Sequence, residues 1–262
     1  MKQALLTILF VILPIMANAE AIEIGGIFYI LNTNEKTAEV TENLNKYTGN
    51  IVIPEKVEYE GTEYSVTSIG YNAMNQCSDV ISVTIPNSVI SIGNYAFSHC
   101  NNLTSIKIPD SVVSIGMGAF RVCGLTSVVI PNSVTNIGEH AFGWCGKLTS
   151  IVIPNSVTSI GVEAFLDTAW YNSQEDGILY LEDCLLGYKG KKKPEGDLVI
   201  SEGTRFVADE AFLECYFLNS VTMPNSMTHI GKQSFQGCQS LSSVTMSNSL
   251  INIGEKAFYG CI

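Results

Sequence analysis

Apolar and polar positions alternate over short stretches of this chain, and each stretch breaks off at a proline. Apolar side chains stand at Leu103, Ile106 and Ile108, with polar ones between them. This alternation predicts a short strand with one buried face. Pro109 cannot donate a ladder hydrogen bond, so the strand should end there. A second extended piece is predicted over residues 112–115, followed by a compact helical or irregular turn that buries a phenylalanine.

The same pattern returns about every 23 residues, and the dipeptide Ile-Gly marks its copies. These dipeptides are Ile69-Gly70, Ile92-Gly93, Ile115-Gly116, Ile137-Gly138, Ile160-Gly161, Ile230-Gly231 and Ile253-Gly254. One step is 22 residues because Cys123-Gly124-Leu125 lacks a residue, and Val207-Ala208 is a degenerate copy. We count eight units, the first and last of them incomplete. Gly116 is predicted to supply the backbone freedom for the corner of its unit.

One such unit cannot bury its apolar side alone, so the units must stack. The predicted fold is therefore a repeat solenoid, mostly β. Stacking should form a column of phenylalanines at Phe97, Phe120, Phe142, Phe165, Phe212, Phe235 and Phe258, with Met74 in the first unit. A parallel column of cysteines should contain Cys77, Cys100, Cys123, Cys145, Cys215, Cys238 and Cys261, with Thr168 in the fifth unit.

The cysteines allow two interpretations, and Cys184 lies outside their column. Rungs about 4.8 Å apart would permit disulfides between neighbouring units. We favour buried, reduced thiols that pack as small hydrophobic groups, because their spacing follows the repeat and not a pairing. Zinc binding is not expected, since the column has neither CxxC pairs nor a histidine beside it.

The first residues have the three features of an export signal. Lys2 gives a positive start, an apolar run covers residues 4–16, and Ala17-Asn18-Ala19 offers a small-x-small cleavage site. Residues 1–19 are therefore predicted to be a signal peptide. No second apolar stretch of about 18 residues follows, so no membrane span is expected in the mature chain.

Composition limits the partners. The chain has 46% hydrophobic and 15% charged residues, enough apolar material for a continuous core. Its formal net charge of −11 disfavours nucleic acid and anionic membrane surfaces.

The unit Ile-Gly-x-x-Ala-Phe-x-x-Cys-x-x-Leu-x-Ser-Val-x-Ile-Pro-Asn-Ser-Val closely resembles the repeats of BspA-like leucine-rich repeat surface proteins. Residues 169–197 look like the insertion that these proteins often carry, and residues 28–69 look like their N-terminal β cap. The resemblance implies a secreted or cell-surface protein that adheres to host extracellular proteins, host cells or other microbes. It implies no catalytic residues.

These observations divide the chain into five parts. We predict a signal peptide at 1–19, an N-terminal β cap at 20–66, repeats at 67–168, an insertion at 169–197 and further repeats at 198–262. The last unit stops at Cys261-Ile262, before its next strand. A terminal repeat normally carries a polar cap. Self-association through an open solenoid end is therefore the alternative to a binding function.

No residues point to catalysis, a cofactor or a metal. His99, His140 and His229 occupy three different repeat positions and should not converge. The exposed strand face is predicted to be a flat, continuous platform with two lanes of small or β-branched side chains. One lane holds Ser82, Ser105, Ser127, Ser150, Ser220 and Ser243, and its companion holds Thr84, Lys107, Val129, Val152, Thr222 and Thr245. Such a platform suits many weak contacts, but it also suits tight strand packing alone.

The insertion is the better candidate for binding because it combines aromatic and basic residues. The candidates are Trp170, Tyr171, Tyr180, Tyr188, Lys191, Lys192 and Lys193. Together they would engage an acidic protein or a glycan outside the cell. The simpler alternative is a hairpin whose aromatics pack onto the solenoid and whose lysines form a solvated turn. We therefore predict a secreted or surface-exposed binding protein, not an enzyme, with a protein or glycan ligand.

Overall fold

A computed structural model describes residues 20–261 of the chain. The predicted signal peptide at 1–19 lies outside the described residues. The fold is a mostly β solenoid of about eight turns spaced by about 23 residues, as the sequence predicts. In chain order the strands are β1 (Ile22–Ile24), β2 (Ile27–Asn32), β3 (Thr37–Val40), β4 (Gly49–Val52), β5 (Lys56–Tyr59), β6 (Thr62–Ile69), β7 (Val80–Thr84), β8 (Ser91–Ile92), β9 (Ser114–Ile115), β10 (Ser127–Val129), β11 (Asn136–Ile137), β12 (Ser150–Val152), β13 (Ser159–Ile160), β14 (Gly177–Leu181), β15 (Cys184–Lys189), β16 (Gly196–Val199), β17 (Phe206–Val207), β18 (Leu218–Thr222), β19 (His229–Ile230), β20 (Ser243–Thr245) and β21 (Asn252–Ile253). The helix α1 (Ala169–Ser173) lies between β13 and β14.

One side of the solenoid is a ladder of very short parallel strands. An antiparallel meander, β1–β2–β3, leads into β6, with β5 antiparallel to β6. From β6 the ladder continues in register through β8, β9, β11 and β13, so that Ile92 pairs with Ile115 and Ile137 with Ile160. A second ladder begins within the insertion, at the antiparallel pair β14–β15, and continues in parallel through β17, β19 and β21.

The opposite side is not the continuous sheet that the sequence predicts. It consists of three separate pieces, β4–β7, β10–β12 and β16–β18–β20. Residues 103–108 keep the alternating burial but form no strand, and within the described chain no backbone hydrogen bond joins 105–108 to either neighbouring rung. We attribute the break to the short step that follows. At Gly124 the chain lies so close to the preceding rung that a Cβ would be 2.2 Å from the carbonyl oxygen of Asn101.

The predicted phenylalanine column forms as two separate stacks. From Phe97 to Phe165 the rings stack nearly parallel, with centroids 5.2, 5.2 and 5.6 Å apart. A second stack joins Phe212, Phe235 and Phe258 at 5.2 and 5.3 Å. Stacked rings at this spacing add a specific contact to the burial of large apolar surfaces.

The cysteines are free thiols in an ordered column. Cys100, Cys123 and Cys145 are buried, and each Sγ donates to a backbone carbonyl of the preceding rung at 3.2, 3.0 and 3.0 Å. Cys238 and Cys261 repeat this contact in the second half at 3.3 and 3.2 Å. The thiols therefore pack across rungs as the favoured interpretation requires.

The turn between the glycine and the cysteine of each unit is irregular and not helical. Tyr95 and His99 both have positive φ, 57° and 61°, and the equivalent residues of other units repeat this conformation. Successive amides donate alternately to the next rung and to their own turn. The Phe97 amide donates to the Ala119 carbonyl of the next rung at 2.7 Å, and the Ser98 amide donates to the Tyr95 carbonyl of the same turn at 3.1 Å. The turn thus satisfies its backbone partly through stacking.

The predicted role of Gly116 is wrong. Its φ is not positive, so the corner does not need glycine's conformational freedom. Instead, a Cβ at Gly116 would lie 2.6 Å from backbone atoms of Gly93 and Asn94. The glycine is required because successive rungs approach too closely at this corner for any side chain.

Candidate binding site at the inserted hairpin

The chain leaves the repeat at Thr168, which stands in place of a column cysteine. Its Oγ1 accepts from the Tyr171 amide at 3.0 Å and donates to the Phe165 carbonyl at 2.9 Å. A hydroxyl at this position caps the first turn of α1, which a thiol does poorly. The substitution therefore ends the repeat and starts the insertion.

Lys189 fastens the far end of the hairpin to α1. Its Nζ donates to the carbonyls of Tyr171, Asn172 and Gln174 at 3.0, 3.3 and 2.6 Å, and it lies 5.1 Å from the centre of the Tyr171 ring. A cation at a helix C-terminus satisfies carbonyls that have no partner within the helix. The turn and the hairpin therefore form one unit.

The hairpin is built into the solenoid and does not project from it. Strands β14 and β15 pair antiparallel, with a bulge between Leu179 and Tyr180. Strand β15 then pairs parallel with β17, and β16 pairs parallel with β18. The inserted residues thus supply rungs that connect to the second run of repeats.

Arg205 ties the first run of repeats to the hairpin. Its guanidinium donates two hydrogen bonds to the Asp183 carboxylate, and the one from Nη2 is 3.0 Å long. It also donates to the carbonyls of Asn155 and Val157 at 3.1 and 2.9 Å. Burial alone would raise the pKa of Asp183, but the Arg205 guanidinium holds that pKa below its usual value. Burial, with the neighbouring Asp183 carboxylate, raises the pKa of the Cys184 thiol beside this pair.

A pocket of about 310 Å³ opens where the hairpin meets the second run of repeats. We call it the hairpin pocket. Its apolar lining comes from Ile178, Tyr188, Pro194, Leu198 and Leu218. Charged side chains of both signs also line it, namely Lys192, Lys193, Glu195 and Asp197. An apolar lining with a few polar groups is typical of binding pockets.

Two exposed aromatic residues that were not among the predicted site residues flank the hairpin pocket. Tyr216 is 39% exposed and Phe217 is 69% exposed. The Phe217 carbonyl accepts from the Gly196 amide at 2.8 Å, and Lys193 Nζ lies 5.5 Å from the centre of the Tyr216 ring. A signal was present in the repeat, because other units carry small or polar residues after the column cysteine, as in Asn101-Asn102.

The structure brings together only some of the predicted site residues. Tyr188, Lys192 and Lys193 line the hairpin pocket. Lys192 pairs with Glu195 at 2.7 Å, whereas Lys193 donates to the carbonyls of Leu213 and Glu214 at 3.0 and 3.1 Å. The side chain of Lys191 is exposed.

The remaining aromatic candidates, Trp170, Tyr171 and Tyr180, do not line the hairpin pocket. Trp170 packs edge-on against Phe165, with centroids 6.4 Å apart and planes at 77°. The Tyr180 hydroxyl accepts from the Ser201 amide at 3.1 Å. Tyr171 faces a second, smaller cavity, and burial raises its pKa. Trp170 and Tyr180 thus contact the solenoid, whereas Tyr171 borders the smaller cavity.

In the described part of the chain, the platform lanes and the surroundings of His140 form no comparable pocket with aromatic lining residues. The platform lanes are broken at Lys107, and Val129 stands out on them with 65% exposure. His140 lies 3.3 Å from Glu139 and 3.6 Å from Glu163, but residues 20–261 contain no group of three or more metal-ligating side chains placed to hold an ion. The one helix in this range, α1, has five residues, and a bilayer crossing needs about 20.

Comparisons with known proteins agree with the repeat pattern. The family model described as BspA type leucine rich repeat region matches six copies, over residues 67–174 and 198–262, about two thirds of the chain. Similar solved structures include a leucine-rich repeat protein from Bacteroides ovatus (24% identity, TM-score 0.44, covering 92% of this chain and 80% of that one). Another is the T. pallidum leucine rich repeat protein (24% identity, TM-score 0.44, covering 89% of this chain and 85% of that one). A third is the pneumococcal vaccine antigen PcpA (18% identity, TM-score 0.48, covering 93% of this chain and 80% of that one). A comparison with curated proteins found no match.

Proposed function

This chain belongs to the BspA-type leucine-rich repeat family, and on that premise we propose that it is an exported protein that adheres to host or microbial surfaces. Solenoids of this kind present extended surfaces for protein binding and are generally not enzymes. We place the contact with its protein ligand at the hairpin pocket and the neighbouring Tyr216-Phe217 pair.

The observation that carries this proposal is the exposure of two adjacent aromatic side chains beside an apolar pocket. Aromatic residues dominate the energetics of protein interfaces, especially where a pocket accepts a partner's side chain. The platform lanes offer no aromatic residue and little charge. The mixed charges of Lys192, Lys193, Glu195 and Asp197 would form the polar rim that such interfaces usually have.

The double variant Tyr216→Asn, Phe217→Asn tests the site. Asn101-Asn102 occupies the equivalent positions of another unit, so the repeat accommodates asparagine at both. The control is Tyr259→Gln, which removes an aromatic side chain of matched exposure, 67%, and installs the residue found at the equivalent Gln236. Binding to immobilised fibronectin, laminin and collagen is measured with the chain from residue 20 onward.

We expect at least tenfold weaker binding for the double variant and a change of less than twofold for the control. Unchanged binding by the double variant would contradict the site while leaving adhesion intact. Failure of the unaltered protein to bind any of the three would contradict adhesion. Deleting the whole hairpin is a poorer test, because β15 and β16 pair with strands of the repeats.

Export is tested on the full chain expressed in a bacterial host. The released protein is expected to begin at Glu20, which its intact mass would show. Retention of residues 1–19 would contradict the signal peptide.

A further inference from the structure

We propose that a second cavity, next to Phe165, is a binding site for one uncharged aromatic ring of phenyl size. This site is independent of adhesion and of the hairpin pocket. The phenylalanine column is interrupted beside Phe165, and the interruption leaves a lined cavity.

The column stops at Phe165. Phe142 stacks on one face of this ring at 5.6 Å, but no other phenylalanine of the described chain stacks on Phe165. The next ring of the column, Phe212, stacks on Phe235 and belongs to a different hydrophobic cluster. Trp170 touches Phe165 only edge-on. The stack therefore lacks one ring at the junction of the two runs of repeats.

A cavity of about 110 Å³ lies there, and we call it the Phe165 cavity. Its walls come from both runs of repeats and from the hairpin. They are formed by Ile160, Gly161, Glu163, Ala164, Phe165, Leu166, Tyr171, Leu179, Leu186, Tyr188 and Ala208. An apolar cavity of about 150 Å³ in another protein stays dry and binds benzene, so this volume is of the right order for a single ring.

The chemistry of the walls favours an aromatic ligand. Three of the lining side chains are themselves aromatic: Phe165, Tyr171 and Tyr188. Rings prefer stacked or edge-on contact with other rings, beyond the gain from burial. Glu163 is the one charged side chain in the lining, which disfavours an anionic ligand. The ring could belong to a free small molecule or to a phenylalanine side chain of a peptide.

Toluene, N-acetylphenylalaninamide and methylcyclohexane are the probes, each titrated into the chain from residue 20 onward and followed by methyl NMR. We expect toluene to shift the methyl signals of Ala164 and Ala208, with a dissociation constant on the order of 1 mM. The methyl signals of Ala96 and Ala119, inside the intact column, serve as controls and should not move.

The three probes distinguish a peptide ring from a free small molecule, and an aromatic site from a cavity that takes any apolar group. Binding of N-acetylphenylalaninamide as well as toluene would assign the site to a peptide side chain, whereas binding of toluene alone would assign it to a free small molecule. No shift at saturating toluene would overturn the proposal. Methylcyclohexane binding as tightly as toluene would also overturn it, because the cavity would then not select aromatic rings.

Filling the cavity provides the second test. Leu186→Phe adds a ring to the hairpin wall and should weaken toluene binding at least tenfold, with thermal unfolding confirming a folded protein. Ala208→Leu fills the cavity from the second run of repeats and replaces the first variant if that one does not fold. Undiminished binding in a folded, filled variant would contradict this location.

Discussion

At the scale of single residues, the repeat glycine is set by the distance between rungs. At Gly138 a Cβ would lie 2.5 Å from the Met117 amide nitrogen and 2.6 Å from the Gly116 carbonyl carbon. Contacts this short with backbone atoms cannot be relieved by rotating a side chain. Ala208, the one alanine at this position, lines the Phe165 cavity, which leaves space for its methyl group.

The change Gly138→Ala tests this argument. We expect the free energy of unfolding to fall by about 1–3 kcal/mol, because the added methyl group must push two rungs apart. The measurement is urea unfolding at neutral pH. Gly146→Ala is the matched control, since nothing lies within 4 Å of a Cβ there and its φ is not positive. It should change stability by less than about 0.5 kcal/mol. Equal losses for the two variants would refute the close-approach argument.

At the scale of the repeated element, the cysteine column makes each turn sensitive to pH. Burial raises the pKa of the Cys100 and Cys145 thiols to about 12, from an ordinary value of 9.0. Below pH 8 the thiols are protonated in both the folded and the unfolded chain and add no pH dependence. Between 9 and 12 the unfolded chain loses these protons and the folded chain keeps them. Rising pH therefore favours unfolding in this window.

We expect the free energy of unfolding to fall by about 1 kcal/mol per buried thiol between pH 8 and pH 10. Urea unfolding at several pH values measures this slope. Tyr29 and Tyr47 have raised pKa values too, but from 10.0 to about 12, so they contribute mainly above pH 10. The double variant Cys100→Ala, Cys145→Ala should show a shallower slope, whatever its stability at pH 7. A flat profile in the unaltered protein would mean that the column is not made of buried reduced thiols.

The turn shows how little of an element's conformation follows from its pattern. Its apolar spacing fits a helix or an irregular turn, and the structure has the irregular form with left-handed residues such as Tyr95 and His99. Non-glycine residues adopt this conformation only where surrounding contacts hold them. Here the amide of His99 donates to Arg121 of the next rung at 2.8 Å. The deciding hydrogen bond lies 22 residues away, beyond the reach of local sequence patterns.

At the scale of the whole molecule, Arg205 joins the two runs of repeats where two hydrophobic clusters meet, the first of which extends to Phe206 and Ala208. Its guanidinium contacts the turn at residues 154–157, the hairpin at Asp183 and the ring of Phe206, 5.5 Å from its centre. Continuous ladder pairing couples neighbouring units elsewhere in a solenoid. At this junction the ladder is interrupted, and the guanidinium supplies part of the missing coupling.

Replacing Arg205 by methionine should uncouple the two runs. We expect a loss of about 2 kcal/mol, since Asp183 and two carbonyls lose their partner. Relative to the unaltered protein, the variant's amide hydrogen exchange should speed up more in residues 206–261 than in residues 67–165. Arg121→Met, which removes a guanidinium 4.5 Å from the centre of the Trp144 ring within an unbroken run, is the control. If both variants change exchange equally along the chain, the junction role of Arg205 is wrong.

The candidate site was only partly predictable from the sequence. Tyr188, Lys192 and Lys193 lie together at the hairpin pocket because they are close neighbours at the end of the hairpin, but their role in binding stays a prediction. Trp170 and Tyr180 instead pack or bond within the solenoid. Tyr216 and Phe217, which flank the pocket, come from a later unit, whose strand β18 pairs with β16. That pairing joins residues distant along the chain, which composition does not reveal.

The sequence by itself determined the solenoid, the length of its rung and the columns of phenylalanine and cysteine, because side-chain periodicity along a repeat dictates which residues stack. Only the tertiary structure decided where the platform breaks, why the corner needs glycine, and where the hairpin pocket and the Phe165 cavity lie. Each of these features depends on the distance between rungs. That distance is set by the packing of residues some 23 positions or more apart, and a one-residue deletion or an inserted hairpin changes it locally.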